Sequence, residues 1–333
     1  MISSGPIGPL VQSFFVEHLP LHKGASLATV SAYRDTFRLL LHFLHQTTGK
    51  QPSSLQMADL HMPAILAFLQ HLEEQRRNSV RTRNARLAAV RTFFRYVALR
   101  EPECLGLATR VLAIPSKRTD RPLVGYLTRQ EIEALLTAPD RATWAGRRDH
   151  ALLLTMYNSG ARVSELCSLQ RRQVHFGATA AYLDLHGKGR KERSVPLWSK
   201  TTKILREWLR EWGDAPDVCM FPNARRRSLT RHGVKYILDH AVRHAANSCV
   251  SLADKTVSPH VIRHSTAMHL LQSGVDITVI ALWLGHESIE TTHIYVEADL
   301  AMKEKALQKL APIGTDVRRY KADDSLIAFL SGL

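Results

Sequence analysis

Four segments in the second half of the chain carry residues whose types and spacing suit work on a phosphate ester. In NSGARVSELCSL (residues 158–169), an apolar helical run from Ala151 to Tyr157 ends at Gly160, and a new helical pattern begins around Val163. Arg162 therefore stands at a helix entrance, where free backbone N–H groups and a guanidinium can share one phosphate. In YLDLHGKGRKERSVPL (182–197), Leu183 and Leu185, then Val195 and Leu197, alternate with polar residues, while Gly187 and Gly189 permit a sharp reversal. The pattern predicts a β-hairpin with Lys188 at its tip, either solvated or delivered into a groove or an active site. In SPHVIRHSTAMHLLQSG (258–274), helical spacing puts His260 and Arg263 on one face. His264 follows His260 at i+4, but no acid follows His260 as a zinc peptidase motif requires, so no metal site is expected. In VDITVIALWLGHESIETTHIYV (275–296), Asp276 caps a short apolar helix that Gly285 ends, leaving His286 at its exit. Ser288 starts another helix that carries Tyr295 about two turns in. Taken singly, these are a surface arginine, a solvated lysine and a core tyrosine; only the set points to chemistry.

The order Arg, Lys, His-x-x-Arg, Leu-Gly-His, Tyr, with Tyr295 nine positions after His286, resembles the tyrosine recombinase (phage integrase) family, including Xer-like and mobile-element integrases. The resemblance covers residues 125–300. A weaker one, to the family's helical core-binding domain, covers about 10–110 through SLATVSAYRDTFRLLLHFL and RTRNARLAAVRTFFRYV. Ile262 and Ser265 are conservative departures from the leucine and threonine common in the family. The resemblance implies that Arg162, Lys188, His260, Arg263 and His286 surround a scissile phosphate while Tyr295 attacks it. It also implies a 3′-phosphotyrosyl intermediate, no cofactor, and double-stranded DNA with inverted-repeat half-sites as substrate. Assembly would be a homotetramer on two sites, or would include related recombinases. The biological setting would be integration, excision or transposition of a mobile element. The alternative is a DNA-binding recombinase subunit active only with partner recombinases. A type IB topoisomerase shares similar chemistry, but the Leu-Gly-His-to-Tyr spacing and the helical N-terminal region favour a recombinase.

These residue types match what strand transfer demands. Attack on a phosphodiester builds charge on its non-bridging oxygens, which two guanidiniums can bind bidentately where a lysine cannot. An unperturbed tyrosine has a pKa of about 10, so roughly one in a thousand is ionised at neutral pH and a base such as His260 is needed. The leaving 5′-oxygen needs a proton, which Lys188 can supply, and His286 can hydrogen-bond the phosphate.

The elements that must position these groups are mainly helical, with a small β-sheet, which makes the fold class α+β. A chain of 333 residues calls for two domains. Residues 1–113 are read as a helical core-binding domain, 114–124 as a linker, 125–310 as the catalytic domain, and 311–333 as a tail. In the first, Val30, Tyr33, Phe37, Leu40, Leu41 and Leu44 recur at helical spacing from Leu27 to Gln46. A second helix runs from Met62 to Gln75, with Pro63 suited to its first turn, and a third from Ser79 to Leu99. On the third, Leu87, Val90, Phe94 and Val97 form an apolar stripe beside Arg81, Arg83, Arg86, Arg91 and Arg95, with only Glu73 and Glu74 nearby to balance them. Presentation of Arg81, Arg83, Arg86 and Arg91 to DNA phosphates accounts for that imbalance better than a solvated face does. The stretch IPSKRTDRPL resists regular structure, and Thr128 with Glu131 forms a capping box that opens the second domain. The tail holds Arg318, Arg319 and Lys321, then an apolar segment around Leu326, Ile327, Phe329 and Leu330 that must dock on its own domain or on a neighbouring protomer.

Composition narrows the partners. Forty-five Lys and Arg against thirty Asp and Glu give a formal charge of +15, which suggests a polyanion. Nucleic acid comes first and a membrane surface second, and the latter weakens because no run of roughly 18 apolar residues exists. The first fifteen residues lack the pattern of a signal peptide, and the four scattered cysteines form no CxxC pair. A cytoplasmic protein with reduced thiols and no membrane partner is expected.

Overall fold

The computed structural model describes residues 5–119, 125–177, 180–187 and 192–286, together with Thr292. The chain divides into two compact units, Met1–Arg121 and Pro122–Leu333. Lys188, Tyr295 and the tail from 311 onward lie outside the described residues.

The first unit is built from helices wherever described. α1 (Ile7–Ser13) runs into a π-helical stretch (Phe14–His22), followed by α2 (Leu27–Thr48), α3 (Met62–Glu74), α4 (Val80–Arg100) and α5 (Leu105–Leu112). Local chemistry sets the ends. Ser26 and Ser79 accept from the Thr29 and Thr82 N–H groups to cap α2 and α4, and Gly49 closes α2 in the left-handed region at φ 71°. Phe14, Phe37, Leu40, Phe68, Leu87, Val90, Phe93 and Val97 are fully buried together. The sequence places residues 1–113 in a helical domain without marking a separate helix before Leu27, where the structure has helix from Ile7 to His22. Its Ile7, Phe14 and Leu19 enter the same core, with Phe14 edge-on to Phe93.

The chain leaving this unit stays attached as far as Lys117. Ile114 is buried, Arg91 donates to its carbonyl and to Ser116 Oγ, and Arg83 donates to Pro115 O at 3.2 Å. Asn84 exchanges two hydrogen bonds with the Lys117 backbone, and Lys117 Nζ meets the Glu73 carboxylate at 2.8 Å. The beginning of the stretch read as a linker is thus stitched to α3 and α4.

The second unit opens with α6 (Arg129–Thr137), capped by Thr128 with Glu131 returning the bond. α7 (Trp144–Ser159) and α8 (Val163–Ser168) lead into a three-stranded antiparallel sheet in the order β1-β2-β3, formed by β1 (Val174–Phe176), β2 (Ala181–His186) and β3 (Glu192–Pro196). Leu183 pairs with Val195 and Leu185 with Arg193, and Ala181, Leu183 and Leu185 turn inward as the two-residue period requires. The β2–β3 pair agrees with the hairpin expected from the sequence; β1 adds a third strand. α9 (Ser199–Trp212), α10 (Arg231–Ala245), α11 (Pro259–Gln272) and α12 (Ile277–Leu284) complete the described part. The main core joins Leu152, Met156, Leu166, Leu183, Val195, Trp208, Phe221, Leu238 and Ile262. Glu131 does more than cap. Burial raises its pKa, but bonds from Lys255, Ser251 and the Thr128 backbone outweigh that and bring it down to about 2.

Candidate phosphate-binding site

Two helix ends meet in the second unit, and both end on a glycine for steric reasons. Gly160 closes α7 at φ 58° and Gly285 closes α12 at φ 64°. A Cβ on Gly160 would fall 2.5 Å from the Leu284 side chain, and one on Gly285 would lie 3.1 Å from that of Arg193. The last carbonyls of a helix have no intrahelical donor and carry the negative end of its dipole, so they attract cations. Three arginines answer them. Arg263, buried on α11, donates to Gly160 O and to Leu284 O, both at 2.6 Å, bridging the two helix ends. Arg162, at the entrance to α8, donates to Gly285 O at 2.8 Å. Arg193, on β3, donates through Nε to Trp283 O at 2.9 Å.

Glu165 is the one carboxylate bonded to these guanidiniums in the described residues, and its side chain is only 2 % exposed. It accepts the Arg162 backbone N–H at 2.7 Å, opening α8, and also meets the Arg162 side chain at 3.1 Å. Arg193 grips both of its oxygens, at 2.9 and 2.8 Å. Burial raises the Glu165 pKa, but Arg193 foremost and then Arg162 more than compensate, so it stays ionised. Among the described residues, three guanidiniums against one carboxylate leave a formal +2.

The histidines are held neutral. His286, at the exit of α12, is brought down to about 4 by burial and then by Arg263 and Arg162, and its Nδ1 lies 2.8 Å from Thr292 Oγ1. His264 is lowered to about 4 by burial, His260 and Arg263. His260, in the first turn of α11, packs edge-on to His264 at 4.2 Å; its side chain is exposed, but the partial desolvation of its ring, then Arg263 and Arg162, lower its pKa. A neutral imidazole can accept a proton, and a cluster of guanidiniums can bind an anion. Among the described residues no group of His, Cys, Asp or Glu is placed to hold a metal ion.

Of the residues singled out in the sequence, Arg162, His260, Arg263 and His286 are thus brought together around the ends of α7 and α12. Glu165 and Arg193 were missed. Glu165 had a signal, since an acid three residues after a helix entrance is a cap partner. Arg193 had none until strand register set it beside that acid.

The family model described as "Phage integrase family" matches residues 125–302, and the one described as "Phage integrase, N-terminal SAM-like domain" matches 13–101. The chain belongs to the phage integrase family. As a member it is a tyrosine-type DNA recombinase, an enzyme that cleaves and rejoins DNA strands. It is 50% identical over 333 residues to the putative integrase/recombinase y4rC of Sinorhizobium fredii, covering all of both chains. It is 33% identical over 311 residues to the tyrosine recombinase XerD of Pseudomonas putida, covering 92% of this chain and 98% of that one. The solved XerH site-specific recombinase bound to palindromic difH substrate shares the fold at a TM-score of 0.68 and 21% identity, over 86% of this chain and 81% of that chain.

The four α4 arginines expected from the sequence to face DNA, Arg81, Arg83, Arg86 and Arg91, behave differently from this integrase site. Arg81 is exposed; Arg83 is buried, and it and Arg91 are engaged with the chain at 114–116. Arg86 is half-buried, with its pKa lowered by burial and by Arg76, and one terminal nitrogen makes no hydrogen bond. No described helix is long and apolar enough to cross a membrane.

Proposed function

We propose that this recombinase acts at specific DNA sites through a 3′-phosphotyrosyl intermediate on Tyr295, in the integration, excision or transposition of a mobile element. The observation that carries the reading is the convergence of Arg162 and Arg263 on two helix ends beside His260 and His286, both kept neutral. Arg162 and Arg263 would hold the non-bridging oxygens, and His286 would hydrogen-bond one of them. The Tyr295 oxygen bonds to phosphorus as its proton passes to His260. The bond to the 5′-oxygen breaks, and that oxygen takes its proton from Lys188. The phosphotyrosyl bond keeps the energy needed for rejoining, so the reaction needs no cofactor. The substrate is double-stranded DNA carrying inverted-repeat half-sites, bound by the helical N-terminal domain and the catalytic domain together. Four protomers, or this chain with related recombinases, assemble on two sites in the cytoplasm.

Nicked suicide DNA resolved on a denaturing gel tests this. The wild-type protein should form a covalent adduct in the presence of EDTA, and Tyr295→Phe should form none while binding DNA as before. Adduct persisting in Tyr295→Phe would assign the nucleophile elsewhere. Adduct formed only after a related recombinase is added would make this chain the partner-dependent subunit.

A further inference from the structure

Glu165 poses an electrostatic problem for the site described above. Its carboxylate is needed locally, because it accepts the Arg162 N–H and opens α8. The same carboxylate lies 3.1 Å from the Arg162 guanidinium, which on the recombinase reading must bind a phosphate. A buried carboxylate is poorly screened by water, so left to itself it would draw the Arg162 side chain onto both its oxygens and repel the incoming anion.

We propose that Arg193 is a positioning residue, the counter-ion that keeps Glu165 from neutralising Arg162. The geometry divides the labour. Arg193 takes one Glu165 oxygen with each terminal nitrogen, whereas Arg162 reaches only Oε1 and spends its other terminal nitrogen on Gly285 O. The Arg193 side chain is 10 % exposed and that of Arg162 33 % exposed, so the inner guanidinium balances the carboxylate while the outer one faces the substrate side. Arg193 is itself aimed by its Nε bond to Trp283 O and by its packing on Gly285, where any Cβ would crowd it. Strand β3 thus supplies a cation that never touches DNA yet sets the charge of one that does. Arg193 pairs with Leu185, one pair before the His186–Glu192 pair that precedes the hairpin turn, so the same contact ties that end of the hairpin to the arginine cluster.

The inference rests on the recombinase reading, and the test separates the two. Adduct formation on suicide DNA, half-site binding and unfolding would be measured for the wild type, Arg193→Gln, Arg193→Lys and the double variant Arg193→Gln/Glu165→Gln. Arg193→Gln should bind the half-site like the wild type but form adduct on the order of 10²-fold more slowly, because the loss falls on the transition state. Removing the unbalanced carboxylate should return most of that rate, bringing the double variant to within about tenfold of the wild type, an interaction that a mere loss of packing would not produce. Arg193→Lys, which keeps the charge, should also stay within about tenfold. Wild-type speed in Arg193→Gln, or a double variant as slow as the single one, would overturn the inference and leave the functional reading standing. If Arg193→Gln does not fold, the double and lysine variants decide: both within about tenfold supports the inference, and either one slow on the order of 10²-fold overturns it. A wild-type protein that forms no Tyr295-dependent adduct would overturn the functional reading and this inference with it.

Discussion

Both units bury arginines and aim them at backbone carbonyls, but the carbonyls belong to different things. On α4, Arg83 and Arg91 hold Ile114, Pro115 and Ser116, an irregular segment that would otherwise leave the helical core. In the catalytic unit, Arg162, Arg193 and Arg263 hold the last carbonyls of two helices, and the Glu165 carboxylate sits between Arg162 and Arg193. The first arrangement anchors chain to a helix through two arginines about two turns apart. The second gathers, among the described residues, a formal +2 at one point next to neutral imidazoles. An excess of arginine over acid on a helix is therefore a weaker sign of an anion site than a few arginines drawn from α8, α11 and β3 to one place.

The largest expected effect comes from breaking the concentrated arrangement. Arg263→Ala removes the bridge between Gly160 O and Leu284 O and takes the guanidinium donor from both of these carbonyls. Charge-assisted bonds of this kind lead to an expected loss of about 3 kcal/mol in urea unfolding, with adduct formation about 10²–10³-fold slower in whatever remains folded. Stability near that of the wild type would mean that water replaces the guanidinium and that the bridge is not what joins α7 to α12.

Breaking the dispersed arrangement should cost less and leave chemistry alone. Arg83→Met removes a buried guanidinium from Pro115 O and from the Glu73 carboxylate 4.0 Å away, which Lys117 still balances. A loss of about 1–3 kcal/mol is expected in the unfolding of the N-terminal unit, with the adduct rate per bound complex unchanged. A slowed cleavage step with intact stability would reverse the assignment and give Arg83 a direct role on DNA.

What the sequence made legible follows from how local each signal is. Ser79, Thr128 and Asp276 were readable as helix starts, and Gly160 and Gly285 as helix ends, because capping involves residues within three or four positions. Arg162, His260, Arg263 and His286 were found by motif order, and their meeting depends on the same helix ends. Glu165 and Arg193 stand 28 positions apart and meet only through tertiary packing, so no local pattern marks them as a pair. The burial of Arg83 was hidden for a related reason: a helical wheel shows that it lies beside the apolar stripe of Leu87 and Val90, but not that residues 114–117 return to cover it.

Acid should expose the difference between the units through the histidines. His264 and His286 are held at about 4 against an ordinary 6.5, so between those values the unfolded chain binds more protons than the folded one. Stability then rises with pH across that window and falls on acidification, by up to about 1.4 kcal/mol per pH unit for each histidine. A bound phosphate favours the protonated imidazoles and offsets the arginines, so DNA binding near pH 5.5 should take up protons. Calorimetry in buffers of different ionisation enthalpy would detect the uptake, and its absence would mean that no phosphate reaches His286.

The smallest effect sharpens the comparison within α4 itself. Arg81 is exposed, whereas Arg83, two residues on, is buried and already engaged. A guanidinium that meets a DNA phosphate displaces a condensed counterion, and each such contact contributes about 0.9 to the slope of log K against log salt. Arg81→Gln should therefore lower the slope for half-site binding by about one unit and weaken binding to all sequences alike, because a phosphate contact carries no sequence information. Arg83→Met should leave the slope unchanged even where it lowers stability, since its charge is spent inside the unit. Equal slope changes in the two variants would show that α4 turns Arg83 outward on DNA and releases residues 114–117. A slope unchanged in both would move the phosphate contacts of this unit off α4.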